Sequence, residues 1–166
     1  MNTAPLPFPD ALDAHSRLDR AQSRDGQPDV LFQAFDAVFA DALDHRLFTV
    51  LSWSRAENHA RRAYSSRPRE YPVGASKPMG PTEWGTLVLK GGQTWFGRTP
   101  EDIRWAFPDH ELIASLGCES CLNAPVLWNG EVLGAVSVLG PAGAYDERDL
   151  SLLEALAPRL VPALMP

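Results

Sequence analysis

Apolar residues fall three and four apart through DVLFQAFDAVFADALD (29–44), where Leu31, Phe35, Val38, Phe39 and Ala42 share one stripe. That period belongs to a helix, and its single apolar face predicts an amphipathic helix over 28–44 that covers a sheet. The period then shortens. LFTVLSWSR (47–55) and ARRAYSS (60–66) are rich in β-branched and aromatic residues and flank a polar turn at 56–59, which predicts a hairpin. A stronger hairpin signal is Asn129-Gly130 between CLNAPVLW and EVLGAVSVL, because a tight turn there needs two positive φ values. Both of its strands are apolar at nearly every position, so the centre of the sheet is expected to be covered on both faces.

Between the hairpins, RPREYPVGASKPMGP (67–81) carries four prolines and two glycines and predicts a long surface loop of the kind that serves a site. TEWGTLVLK then predicts a helix capped by Thr82, and QTWFG a short strand. TPEDIRWAF has the Thr99–Asp102 capping signature with Pro100 at the first helical position, and DHELIASLG gives another turn or two of helix closed by Gly117. The terminal stretch predicts a helix from an Asp146 cap, with Leu150, Leu153, Leu156 and Ala157 on one stripe and interruptions at Pro158 and Pro162. Upstream, Ala11, Leu12, Ala14 and Leu18 suggest a short helix after a Pro-rich tail. The expected organisation is a tail and short helix over 1–27 and one α+β domain over 28–166.

Composition narrows the function classes. The 166 residues are 45% hydrophobic and 22% charged, as in an ordinary globular domain, with no apolar run near the ~18 residues of a membrane span. With 21 acidic against 15 basic residues the formal charge is −6, and no Lys/Arg cluster could neutralise several phosphates. Neither nucleic acid nor membrane is an expected partner. The opening residues show no basic stretch leading into an apolar run, so a cytoplasmic location with reduced thiols is expected.

The segment SLGCESCLNAPVLWNGEVLGAVSVLGPAGAYDERDLSLLEALAP resembles the C-terminal half of GAF domains through Asn123, Pro125, Gly130, Gly134, Tyr145, Asp146 and Asp149. The resemblance implies a central six-stranded antiparallel sheet with the terminal helices on one face. Short helices and the long loop would lie over the other, roofing a small-molecule pocket with residues 66–117. Candidate ligand-binding residues are then Tyr64, Tyr71, Trp84, Trp95, Phe107, His110, Cys118 and Ser137, since aromatic lining with a few polar groups suits such a pocket. Packed as a solid cap, the same aromatics would instead make a structural interaction domain. Trp105 belongs to the same aromatic set. The prolines of the last helix argue against one long helical dimer interface, while the apolar terminal helices still favour a homodimer.

Cys118 and Cys121 raise the question of chemistry. A C-x-x-C pair can be redox-active, but no second pair or suitably spaced His completes a metal site. Extended backbone would set their Cα atoms about 10 Å apart with side chains on opposite faces, so two unbonded packing thiols are expected, Cys121 on the strand and Cys118 at its mouth. Free methionine-R-sulfoxide reductases, an enzymatic branch of the same family, are also resembled through FPDH (107–110). Their attacking cysteine would fall at Ile113 or Ala114 and their loop cysteine near Thr82 or Glu83, none of which is a cysteine. The expected function is a stand-alone sensory or regulatory module that binds an unidentified small molecule, with no catalytic residue, no metal and no assignable cofactor. A thiol-dependent reductase and a purely structural dimerisation domain stand as alternatives.

Overall fold

The computed structural model describes residues 8–74, 76–78 and 82–166. In chain order the elements are α1 (Phe8–Gln22), α2 (Asp29–Ala42), β1 (Leu47–Ser54), β2 (His59–Ser65), β3 (Ser76–Pro78), a π-helix (Gly85–Lys90), β4 (Trp95–Gly97), α3 (Pro100–Ala106), α4 (His110–Ser115), β5 (Ser120–Trp128), β6 (Glu131–Gly140) and α5 (Glu147–Leu156). A 3₁₀ turn (Ala157–Leu160) and α6 (Val161–Leu164) finish the chain. The sheet order is β3-β2-β1-β6-β5-β4, every neighbouring pair antiparallel, with edge strands of only three residues each. Short edges leave little unpaired backbone to recruit another chain.

Alternation along the strands sorts the side chains into two layers. Phe48 and Val50 of β1, Leu122, Ala124 and Val126 of β5, and Val136 and Val138 of β6 pack with α1, α2, α5 and the 3₁₀ turn. There α2 contributes Leu31, Phe32, Phe35, Val38 and Phe39, and its rings run on to the sheet through Phe39–Phe48 at 5.9 Å and Phe48–Tyr64 at 6.0 Å. Each such ring removes enough apolar surface from water to contribute about 1.5–3 kcal/mol. The opposite face is covered by the π-helix, α3 and α4.

Several local readings meet the structure. Asn129 and Gly130 have φ of 51° and 78°, as the tight turn requires. Thr99 and Asp102 cap α3 reciprocally, and Asp146 and Asp149 do the same for α5. Pro158 and Pro162 end the regular α5, yet the chain continues helically because each lies in the first turn of its own short element, where no N–H bond is lost.

Other readings change. The N-terminal helix is fifteen residues long, and Leu18, Ala14 and Ala21 are buried in the core that α2 shares, while Leu12 is exposed. Its Ala-rich buried face gave only a weak apolar period. The Pro-rich 67–81 stretch contains the three-residue edge strand β3, and proline is tolerated at a sheet edge. Residues 75 and 79–81 of that stretch lie outside the described residues. The segment after Thr82 does wind, with the Gly85 N–H on Thr82 Oγ1 at 3.0 Å, but as a π-helix.

Candidate functional site

On the face beneath the short helices, one row of residues is polar. Strand register aligns Ser65, Thr49, Ser137, Asn123 and Trp95 across β2, β1, β6, β5 and β4. The first four are buried, in a sheet otherwise dominated by apolar side chains. Asn123 is fully buried and organises the row. Its Oδ1 accepts from Trp84 Nε1 at 3.0 Å and from the Cys121 thiol at 3.5 Å, and its Nδ2 donates to Ser137 Oγ. A buried amide is tolerated when its groups are partnered in this way.

Thr49 and Ser137 each retain 8% exposure although they sit at the middle of a sheet covered on both sides. A small accessible space therefore remains beside these two central residues. With its Oγ accepting from Asn123, Ser137 keeps its own O–H as a donor toward that space.

The roof is aromatic. Trp84 packs on Phe107 at 5.3 Å, Trp95 on Phe107 at 6.1 Å, and Trp95 on Trp105 at 5.6 Å. From the long loop, Tyr71 lies under the Arg62 guanidinium, which is 3.5 Å from the ring centre, donates to the Pro72 carbonyl at 2.7 Å and reaches Asp109 at 3.9 Å. His110, the first residue of α4, is half-buried beside it in sequence.

Seven of the eight expected site residues, Tyr71, Trp84, Trp95, Phe107, His110, Cys118 and Ser137, thus belong to this layer or its covering elements. Tyr64 does not. It faces α2, packing on Phe32 and Phe48 and donating to Asp36 Oδ2 at 2.6 Å. A register shift in β1–β2 between Val50 and Leu51 sets the side assignments along this hairpin, and no sequence signal announces it. Thr49, Asn123 and Arg62 were missed as site residues. The available signal was a polar residue inside an apolar strand, as in LFTVL and CLNAP.

The thiols are free and buried, but their geometry differs from the expectation of opposite faces. The chain bends at Gly117, φ +81°, and β5 starts only at Ser120, so Cys118 precedes the strand and joins Cys121 in one cluster with Leu47, Tyr71 and Ile113. Burial pushes the Cys118 thiol up to about 11, partly offset by Arg67 and Arg46, and pushes fully buried Cys121 well above the usual thiol range. Neither has the low pKa of a reactive thiol.

Because these groups stay neutral in the fold to a higher pH than in the unfolded chain, their contribution to stability is intact below the ordinary thiol value of 9.0 and is lost as pH rises through about 11. Tyr71 and Tyr145, raised first by burial, act in the same direction. Denaturation midpoints are expected to hold steady from about pH 7 to 8 and fall above about pH 9. Iodoacetamide labelling of the folded protein at neutral pH should be negligible, and stoichiometric labelling without unfolding would contradict this burial.

Among the described residues, no group of three or more His, Cys, Asp or Glu side chains is placed to hold a metal ion, and no helix is long and apolar enough to cross a membrane. No curated protein matches the sequence. Solved structures are similar in fold. The GAF domain of an Acinetobacter phosphoenolpyruvate-protein phosphotransferase aligns at 19% identity and TM-score 0.70, over 92% of this chain and 91% of that one. The corresponding GAF domain from Coxiella burnetii aligns at 14% identity and TM-score 0.72, over 93% and 92%. fRMsr of Staphylococcus aureus, in complex with its substrate, aligns at 14% identity and TM-score 0.68, over 98% and 100%. The sequence itself matches the GAF domain family across residues 29–165, and the chain therefore belongs to that family.

Proposed function

We propose that this GAF domain is a sensory or regulatory module that binds a small molecule between the Thr49–Ser137 row and the aromatic roof, without chemistry of its own. The observation that carries the reading is the residual exposure of two polar residues, Thr49 and Ser137, at the centre of a doubly covered sheet. Convergent polar groups within aromatic walls are what small-molecule sites present. A sensory role fits relatives such as the GAF domain of a Bacillus halodurans two-component sensor histidine kinase. Buried thiols of raised pKa support binding over thiol catalysis.

Native mass spectrometry of the protein as purified tests the reading. A co-purified small molecule is expected, and Ser137→Leu, which places a larger side chain in the row, should remove it while the thermal melt stays cooperative. If no such mass is seen, xenon-pressurised crystals decide: absence of xenon above Thr49 and Ser137 would mean a filled roof and a structural interaction domain. Thioredoxin-coupled reduction of free methionine sulfoxide, abolished in Cys118→Ser, would overturn the non-catalytic reading in favour of a reductase.

A homodimer in the cytoplasm belongs to the same proposal. Leu12 of α1 is exposed, and a groove of about 390 Å³ nearby in the chain is lined by Ala11, Ala14, Val38, Ala42 and Leu152 together with the charged Asp13, Arg17 and Asp41, a mixed surface for a second copy. Leu12→Asp is expected to shift the sedimentation coefficient to that of a monomer at micromolar concentration.

A further inference from the structure

We infer that the outer side of the roof carries a second binding site, between Trp105 and Glu83, for an organic cation headed by a quaternary ammonium group. This site is separate from the one proposed beneath the roof and lies in open surface. The π-helix segment has two faces. Trp84, Val88 and Leu89 are buried toward the sheet, whereas Thr82, Glu83, Thr86 and Leu87 line a groove of about 500 Å³ that Gln93 and Trp105 complete. On α3, Ile103 and Ala106 are buried, and Trp105 stands on the solvent side with 44% of its surface exposed. A tryptophan left so open forgoes much of the stabilisation that burial would give it. Its position is nevertheless fixed. The ring rests on Trp95, centroids 5.6 Å apart, and Nε1 donates to Glu83 Oε2.

The groove selects by charge. Glu83 is the one charged side chain among the six residues that line it, and it forms no ion pair among the described residues. Lys90, the basic residue of the π-helix, lines a different groove with Arg55, and exposed Arg104 of α3 lines neither. Elsewhere the chain supplies its own cations to ring faces: Arg62 sits over Tyr71 at 3.5 Å and Arg98 over Phe96 at 3.8 Å. Trp105, whose ring type attracts cations most strongly, has none over it among the described residues. A quaternary ammonium is drawn to the indole face and to the neighbouring carboxylate, and it needs no hydrogen-bond acceptor. An anion would meet Glu83, and a neutral molecule would gain nothing from that charge. The formal charge of −6 on the whole chain favours the approach of a cation as well.

The test uses the full chain labelled with ¹⁵N, in which the five tryptophans give separate indole signals and Trp105→Leu identifies that of Trp105. Two probes of the same shape are titrated: choline, and its uncharged isostere 3,3-dimethylbutan-1-ol. The expected result is saturable binding of choline that moves the Trp105 signal, with a preference of about five-fold over the isostere, as for a cation on an exposed ring. Glu83→Gln keeps an acceptor for Trp105 Nε1; it should weaken choline about three-fold and leave the isostere unchanged. Trp105→Leu should abolish choline binding. Both positions are exposed, so both variants should keep a cooperative thermal melt.

Equal affinity for the two probes, choline binding that survives Trp105→Leu, or no saturable binding of choline overturns the assignment. Ser137→Leu distinguishes the two sites: choline binding unchanged in that variant supports a separate outer site, whereas its loss locates choline beneath the roof and overturns it. Sedimentation with phosphatidylcholine vesicles without saturable binding of choline would transfer the contact to a lipid surface and overturn it as well. Should Trp105→Leu fail to fold, the choline response of Glu83→Gln decides.

Discussion

Gly134→Ala is expected to cost about 3–5 kcal/mol, a large share of the ~5–15 kcal/mol that holds a typical domain folded. Gly134 sits in β6 opposite Ser52 of β1, and a Cβ added there would stand 2.0 Å from the Leu51 carbonyl oxygen and 3.0 Å from Leu164 Cδ1. The side chain could give way, but the carbonyl belongs to the ladder that joins the two longest-range strands of the sheet. Relief requires β1 and β6 to separate, which breaks their hydrogen bonds and opens both covering layers. Urea denaturation followed by far-ultraviolet circular dichroism measures the loss, and a midpoint close to wild type would show that the close approach is not rigid. Gly130→Ala is the control. There φ is +78° with nothing within 4 Å, so only the backbone conformation is penalised and the cost should be near 1 kcal/mol.

Asn123→Ala is expected to destabilise by about 3 kcal/mol, because it strands the Trp84 N–H and removes the support of Ser137 in one step. Leaving a buried donor unpaired accounts for about 1–3 kcal/mol of this, and the lost side-chain volume for the remainder. The two contributions can be separated by a double-mutant cycle. In a Trp84→Phe background no N–H is left to strand, so the same Asn123→Ala change should cost about 1–2 kcal/mol less. Equal costs in both backgrounds would mean that the Trp84–Asn123 bond contributes nothing net. The substitution should also release any co-purified molecule, since both the roof and the hydroxyl row hang on this amide.

Much of the scaffold was legible from local rules. The α2 stripe, the Thr99–Asp102 capping box, the Asp146 cap, the Asn129-Gly130 turn and the proline-broken end of the last helix each follow from constraints acting within a few residues. The candidate site was legible mainly as a region. Aromatic residues crowded into 66–117 marked the roof, because large side chains that must be buried reveal themselves by composition. Its floor was legible only at Ser137, since Thr49 and Asn123 lie far from it in sequence and join it only through strand pairing.

That pairing shows what the tertiary structure alone decided. Counting back from the turn through Trp128↔Glu131 and Leu127↔Val132 would set Asn123 opposite Val136. Instead a bulge between Val126 and Leu127 shifts the register, so that Val126 meets Gly134 and Asn123 meets Ser137. Val136 then packs with the helices and the two polar residues share the roofed face. The same holds for Cys118 and Cys121, which share one cluster because residues 118–119 lie outside the strand and do not alternate with it. The sequence by itself determined the helices, turns and apolar periods, because those are set by backbone sterics and local burial. Which polar groups face one another was decided by register, and register is set by how both faces of the sheet pack at once.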